Sequence, residues 1–293
     1  MKFTSVNRVH RLAAVASMAA IPLVLVGCAG GVSTSSAPSQ DTPVAHVHGM
    51  SVDPMSTKIL LATHDGLYDA TKKPAVKLGD SIDLMGFTAT DDPEVFYASG
   101  HPGPGSGLPN PVGLIRSKDA GKTWEPISRQ GESDFHALTA TKGGLVAFDG
   151  SLLTSTDGTT WAPSGETFTP AVLAGSPATT VVLATTQEGL QRSTDGGKTW
   201  QPNPSAPIMQ FAAFATAEDK ATTEAAGVSP DGTVYVSTDA GLSWVRTGRI
   251  SGQVETIAAM EGGTGKPRIW AATTAGVQVS TDGGVTFRPA DAQ

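Results

Sequence analysis

One nine-residue pattern recurs five times along this chain, as RSKDAGKTW (116–124), LTSTDGTTW (153–161), RSTDGGKTW (192–200), VSTDAGLSW (236–244) and VSTDGGVTF (279–287). The aspartates of these stretches, Asp119, Asp157, Asp195, Asp239 and Asp282, are spaced 38, 38, 44 and 43 residues apart. That period is the length of one four-stranded propeller blade, and it constrains the fold before any residue chemistry is considered. Around each copy the signals keep one order. An apolar alternating run comes first, as in VVLATT (181–186) or RIWAATT (268–274), then a Gly and a short strand, as in GLQRS (189–193) or GVQVS (276–280). The Asp-Gly turn, Thr-Trp or its equivalent, and a proline-rich link follow. The reading is strand, turn, strand throughout, with no helix in the mature chain.

A further unit opens the domain without the turn pattern. AHVHGMSVDP (45–54), KILLATHDGLYDA (58–70) and PAVKLGD (74–80) match the first, second-plus-third and fourth strands of a blade. Six units over residues 42–293 average 42 residues each. The expected fold is therefore all-β, a six-bladed β-propeller of four-stranded antiparallel blades over residues 44–293; seven blades require one unit too worn to recognise. About 250 residues suit a single all-β domain of this kind.

The pattern Ser-x-Asp-x-Gly-x-Thr-Trp, carried in one copy by Ser193, Asp195, Gly197, Thr199 and Trp200, resembles the Asp-box, or BNR repeat. Asp-boxes recur in sialidases, other glycoside hydrolases, sortilin-type receptors and photosystem assembly factors. The resemblance implies a turn between the third and fourth strands, on the outer side of the blade. Its physics needs no substrate: Asp accepts backbone N–H bonds, Gly supplies a positive φ, and Trp buries a large ring between blades. The sialidase mechanism implies three arginines, one of them in a Phe/Tyr-Arg-Ile-Pro motif, with a Tyr–Glu pair and an Asp acid. That motif is absent here, and Tyr68, Tyr97 and Tyr235 lie in middle-strand patterns. Another glycosidase needs only two carboxyls across a cleft, for which Asp65, Asp83 and Asp134 are the candidate catalytic residues.

Lys2, Arg8 and Arg11 precede an apolar run from Leu12 to Val26, which reads as a secretory signal over residues 1–27. The run ends in Leu25-Val26-Gly27-Cys28, which resembles the bacterial lipobox and implies cleavage before Cys28 and lipidation of its thiol. Residues 28–43 then form a flexible tether. The expected place is extracytoplasmic, lipid-anchored to the cell membrane, as a monomer. Cys28 is the chain's one cysteine, so no intramolecular disulfide forms. Without the leader, 17 basic residues face 27 acidic ones. No basic patch or aromatic-basic interleaving argues for nucleic acid.

The histidines are the uneven feature. His46, His48, His64, His101 and His136 all fall in the first three units, and the last 157 residues hold none. His46 and His48 begin the first innermost strand, and His136 begins the third. Aligning HGM (48–50) with HAL (136–138) makes His48 and His136 equivalent, and aligning Gly49 with Gly86 puts Met85 at the matching position of the second. His64 and Asp65 lie in a middle-strand turn, and His101 in the long middle loop SGHPGPGSGLPNP (99–111). These residues are expected to converge at one end of the propeller axis, with Asp83 and Asp134, and with Met209 and Glu255 from later units. Imidazoles with a thioether suit copper; imidazoles with carboxylates suit zinc or another divalent ion. His48, His64 and His136 are the first candidates as metal ligands, with His46, Met85 and His101 completing a ligand pocket.

HVHGM, ATHDGL, LMGF, ASGHP and DFHAL, followed by Asp-boxes, resemble a group of bacterial Asp-box lipoproteins commonly labelled as a glycosyl hydrolase family. That label follows from fold kinship, and fold kinship does not establish a reaction. Three functions remain in view: a ligand site, for a metal such as copper or zinc, on the histidine-rich face; a glycoside hydrolase acting on extracellular glycans; and a non-catalytic scaffold that docks a protein.

Overall fold

Short runs dominated by β-branched and small apolar residues become strands, and the turn signals between them become the connections. The computed structural model describes residues 46–217, 223–262 and 265–291. The expected leader, the tether and Cys28 lie outside the described residues. Among these residues twenty-four strands form four four-stranded sheets and one eight-stranded sheet.

The first sheet runs β1 (Val47–Val52), β2 (Ile59–Thr63), β3 (Gly66–Asp69) and β4 (Val76–Leu78); the second, β5 (Ile82–Ala89), β6 (Phe96–Pro102), β7 (Leu114–Ser117) and β8 (Glu125–Ser128). The third holds β9 (Ala137–Thr141), β10 (Gly144–Phe148), β11 (Leu152–Ser155) and β12 (Ala162–Pro163). The fourth holds β13 (Val172–Ala174), β14 (Val182–Thr186), β15 (Gly189–Ser193) and β16 (Gln201–Asn203). The eight-stranded sheet is two antiparallel meanders. One is β17 (Phe211–Thr216), β18 (Ala225–Val228), β19 (Thr233–Ser237) and β20 (Val245–Arg249); the other is β21 (Val254–Met260), β22 (Arg268–Thr273), β23 (Gly276–Ser280) and β24 (Arg288–Pro289). They join through a short parallel contact, Ala215 beside Ala259 and Thr216 beside Met260.

The first strands of successive meanders touch in sequence, β1 to β5, β9, β13, β17 and β21, and β21 touches β1 again. This closed ring makes the chain a β-propeller of antiparallel blades. Among the described residues each blade is a contiguous stretch of chain, and the ring closes by packing at the seam between the last and first blades, without an exchanged strand. The second strands are the more buried, ILLAT (59–63) fully so, while fourth strands such as β12 and β24 are short and exposed. Pro126, Pro163, Pro202 and Pro289 stand on those outer strands, where a missing N–H blunts the unpaired edge.

The five turns join third to fourth strands; four share one hydrogen-bond design, and that of Asp157 is a residue shorter, with Gly158 N–H on Ser155 Oγ. Asp195 Oδ1 accepts the N–H groups of Lys198 and Thr199 at 3.1 and 2.9 Å, Oδ2 accepts Thr199 Oγ1–H at 2.7 Å, and the Gly197 N–H reaches Ser193 Oγ at 2.9 Å. Gly197 has φ 84°, and a Cβ there would lie 2.8 Å from the Val146 methyls of the preceding blade. The aromatic that ends each turn packs into the core shared with the preceding blade. Trp124 joins the cluster of Leu60, Leu67 and Ile115, Trp200 that of Val146 and Val182, and Phe287 that of Val234 and Ile269.

Candidate functional site

A narrow channel of about 190 Å³ runs along the ring of first strands, and His48, Met85 and His136 all line it. For His48 and Met85 this position follows from a shared backbone irregularity. Val47 pairs with Thr63 and Gly49 with Ala62, so His48 is an extra, unpaired residue in β1. Met85 is the extra residue between Leu84 and Gly86 in β5, and Glu255 the one between Val254 and Thr256 in β21. A β-bulge turns a side chain out of the regular alternation and often flanks a site. Gly86, just after the second bulge, lets β5 approach β9: a Cβ there would sit 2.1 Å from the Phe135 carbonyl oxygen.

Histidine–carboxylate pairs bridge three successive blade junctions at this end. Across the seam, His46 Nδ1 lies 2.7 Å from Glu255 Oε1, a carboxylate only 8% exposed. Between the first and second blades, His64 Nδ1 lies 2.8 Å from Asp83 Oδ1. Between the second and third, His101 Nε2 lies 3.1 Å from Asp134 Oδ2, while His101 Nδ1 lies 2.7 Å from Asn110 Oδ1. Asp134 also faces His136 Nδ1, at 3.4 Å from Oδ2. Its other oxygen, Oδ1, is buried without a hydrogen-bond partner, which is costly for a carboxylate.

His48, His64 and Asp83 form the tightest group. His48 Nε2 is 3.1 Å from His64 Nε2, and one ligand atom from each of the three residues lies within 4.8 Å of the others. His46 stands beside them, its ring 4.9 Å from that of His48 and 5.8 Å from that of His64. Burial, then the neighbouring imidazoles of His64 and His46, push the His48 pKa from 6.5 down to about 4, against the pull of Asp83. His48 is therefore neutral at pH 7, with a lone pair to offer.

The structure thus brings together His46, His48, His64, Asp83, Met85 and His136, with His101 and Asp134 on their far side. His101 is placed differently from its sequence reading: β6 continues through His101 and Pro102, so the histidine stands on a strand, paired opposite Asp83. Asp65 does not join the group. It accepts from Tyr68 Oη at 2.7 Å and contacts Lys77 Nζ and Ser81 Oγ, both at 3.0 Å. Met209 is buried between blades, in the cluster holding Leu183 and Phe214. Asn110 was not singled out in the sequence, because its partner depends on where the 99–111 segment folds back.

Comparison with known proteins agrees on the fold. The model of the DUF6242 beta propeller domain matches residues 109–229. No curated protein sequence matches the chain significantly. Among solved structures, the chain is similar to the GH74 enzyme of Niastella koreensis, with a TM-score of 0.57 and 17% identity over 84% of this chain and 37% of that one. The GH74 xyloglucanase of Xanthomonas campestris gives a TM-score of 0.54 and 17% identity over 85% of this chain and 46% of that one. U3-55K gives 0.51 and 10% identity, over 80% of this chain and 77% of that one. The chain spans less than half the length of each of the two GH74 proteins, and at these identities the likeness is one of fold. The chain is a β-propeller whose fold is similar to that of the GH74 propellers.

Proposed function

We propose that the histidine-bearing end of the channel binds one divalent transition metal ion, zinc or copper, through His48, His64 and Asp83. The observation that carries this reading is the meeting of two imidazoles and a carboxylate within 4.8 Å, on side chains from two blades. Ligand atoms held at about 2.0–2.2 Å from one ion sit at comparable spacings, and three protein ligands leave a position open for an exogenous group. His46 stands beside the two imidazoles, and Met85 and His136 line the channel with His48. In this reading the propeller has six blades, its five turns are Asp-boxes of the sialidase-like kind, and Cys28 carries a lipid that holds the domain at an extracytoplasmic membrane face. Replacing Cys28 by Ser tests the anchor: the protein should leave the membrane fraction.

The metal reading is tested by titrating the purified, untagged, metal-stripped protein with Zn²⁺ and Cu²⁺ in a calorimeter. One equivalent should bind, and His48→Ala or His64→Ala should each weaken binding by more than about tenfold, as losing a ligand does. Binding no stronger than that of the double variant sinks the proposal.

The buried, unpartnered Oδ1 of Asp134 favours a second reading, a glycoside hydrolase in which Asp134 and Asp83 act as acid and base. A screen of β-glucans and host-type glycans separates the two. Turnover abolished in Asp134→Asn and unaffected by chelation supports the hydrolase; absence of any turnover removes it.

A further inference from the structure

In five blades an aromatic ring stands immediately before the fourth strand: Trp124, Trp161, Trp200, Trp244 and Phe287. Each packs into the core shared with the preceding blade. The first blade has no Asp-Gly turn, and the residue immediately before β4 is Ala75. At this one seam, where the first blade meets the last, the ring is missing. In its place lies a cavity of about 930 Å³, and Ala75 is part of its wall.

Pockets of about 300–1,000 Å³ are the size that holds small organic ligands. The larger part of the wall is apolar, with Ile59 and Leu61 on the first blade and Trp270 and Val279 on the last. The charged lining is one-sided: Lys72, Lys73, Arg268 and Arg288 against Glu255 and Asp291. Lys73 pairs with Asp291 across the seam, and Glu255 with His46. The Arg268 guanidinium lies over the Trp270 ring, 4.9 Å from its centroid, so a cation is fixed directly against the apolar floor. This excess of positive charge occurs in a chain whose net charge is −7.

We infer that the seam is a binding site for an amphiphilic organic anion, its hydrophobic body occupying the place of the missing aromatic and its acidic group meeting Arg268 and Lys72. The ligand class is set by the lining, which sets apolar Ile59, Leu61, Trp270 and Val279 beside Arg268 and the exposed Lys72 and Lys73. A fatty acyl carboxylate and an aromatic acid share this chemistry.

The probe is 1-anilinonaphthalene-8-sulfonate, titrated into the full-length protein at pH 7 with EDTA present, so that any metal site is silent. Saturable binding of one equivalent is expected, displaced by dodecanoate or by 1-naphthoate. Ala75→Trp restores the ring found in the other blades, and should weaken probe binding by at least about tenfold, the equivalent of losing one good contact. Arg268→Glu should weaken it by a similar factor. Ala290→Leu narrows the same wall from the last blade and stands in if the Trp variant lacks the wild-type circular dichroism spectrum. The inference is overturned if the plugged variant binds like the wild type, if neither acid displaces the probe, or if dodecanol displaces it as well as dodecanoate does.

Discussion

The rim of Asp-Gly turns and the histidine-bearing end of the channel are built on opposite principles. At the rim one solution recurs, once in a form a residue shorter at Asp157, and every carboxylate finds donors from its own turn, as Asp119 does from Thr123 and Lys122 and Asp282 from Thr286 and Val285. At the channel end nothing repeats in full. Bulges present His48, Met85 and Glu255 from three different blades, three imidazoles crowd within 6 Å of one another, and Asp134 keeps a buried oxygen without a partner. Regular, satisfied polar groups serve the fold; departures from the rule mark where a protein gives up stability for a site. The comparison predicts that changes at the rim alter stability and changes at the channel end alter binding.

The largest effect is expected at the rim. Trp200 is 5% exposed, packs with Phe168, and donates from its indole to the Gly197 carbonyl at 2.9 Å. Trp200→Ala should cost about 3–5 kcal/mol in urea unfolding, the range for deleting a buried aromatic. A loss below about 1 kcal/mol breaks the claim that these rings hold neighbouring blades together. Asp195→Ala comes next. It removes the acceptor for two backbone N–H groups and the Thr199 hydroxyl, and should cost about 1–2 kcal/mol because the exposed turn lets water replace part of what is lost. Neither change should alter metal affinity.

At the channel end His48→Ala should behave in the reverse way. Its effect on unfolding free energy should stay within about 0.5 kcal/mol, the range for substitutions that break no core contact, while affinity for Zn²⁺ or Cu²⁺ falls by more than about tenfold. A large stability loss with unchanged metal binding would turn this end into a second structural rim.

Much of the rim was legible in the sequence, because a turn that needs Ser, Asp, Gly and an aromatic at fixed offsets repeats those letters wherever it recurs. The equivalence of His48 and Met85 was legible too, through the Gly that follows each, although the bulges that explain it are not. Glu255 has no such Gly, and its pairing with His46 depends on ring closure between residues 209 apart. Asp65 sits beside His64 in sequence yet turns to Lys77 and Ser81, since neighbours at the end of a strand point opposite ways. Ala75 carries no signal of its own. It stands out only once the strand boundaries align it with five aromatic rings.

The smallest effect expected is also the one that separates the two regions within a single titration. In metal-free protein two groups of titrating residues shape stability against pH. His48 has its pKa lowered to about 4 by burial and by His64 and His46, with His136 adding to them and Asp83 opposing. A base with a depressed folded pKa binds its proton more readily when unfolded. Between pH 6.5 and about 4 the unfolded chain therefore holds more protons, and stability falls as pH drops through that window. The rim acts lower. Asp119 is held at about 2, below its ordinary 3.8, by the Thr123 hydroxyl and N–H, so its contribution is intact above pH 3.8 and lost as pH falls toward 2. Asp195 and Asp282 are held at about 2 as well, where burial opposes the shift but the bonds from Thr199 and Thr286 outweigh it. Urea midpoints measured in EDTA from pH 8 to pH 2 should thus decline in two stages. His48→Ala should flatten the upper stage and leave the lower one, whereas Asp119→Asn should reduce the lower stage alone. Because His48 and the rim carboxylates Asp119, Asp195 and Asp282 are all partly exposed, solvent screening keeps both stages shallow. An upper stage unchanged in His48→Ala would mean that this imidazole is not held neutral by its neighbours, and the contrast between the two regions would lose its electrostatic half.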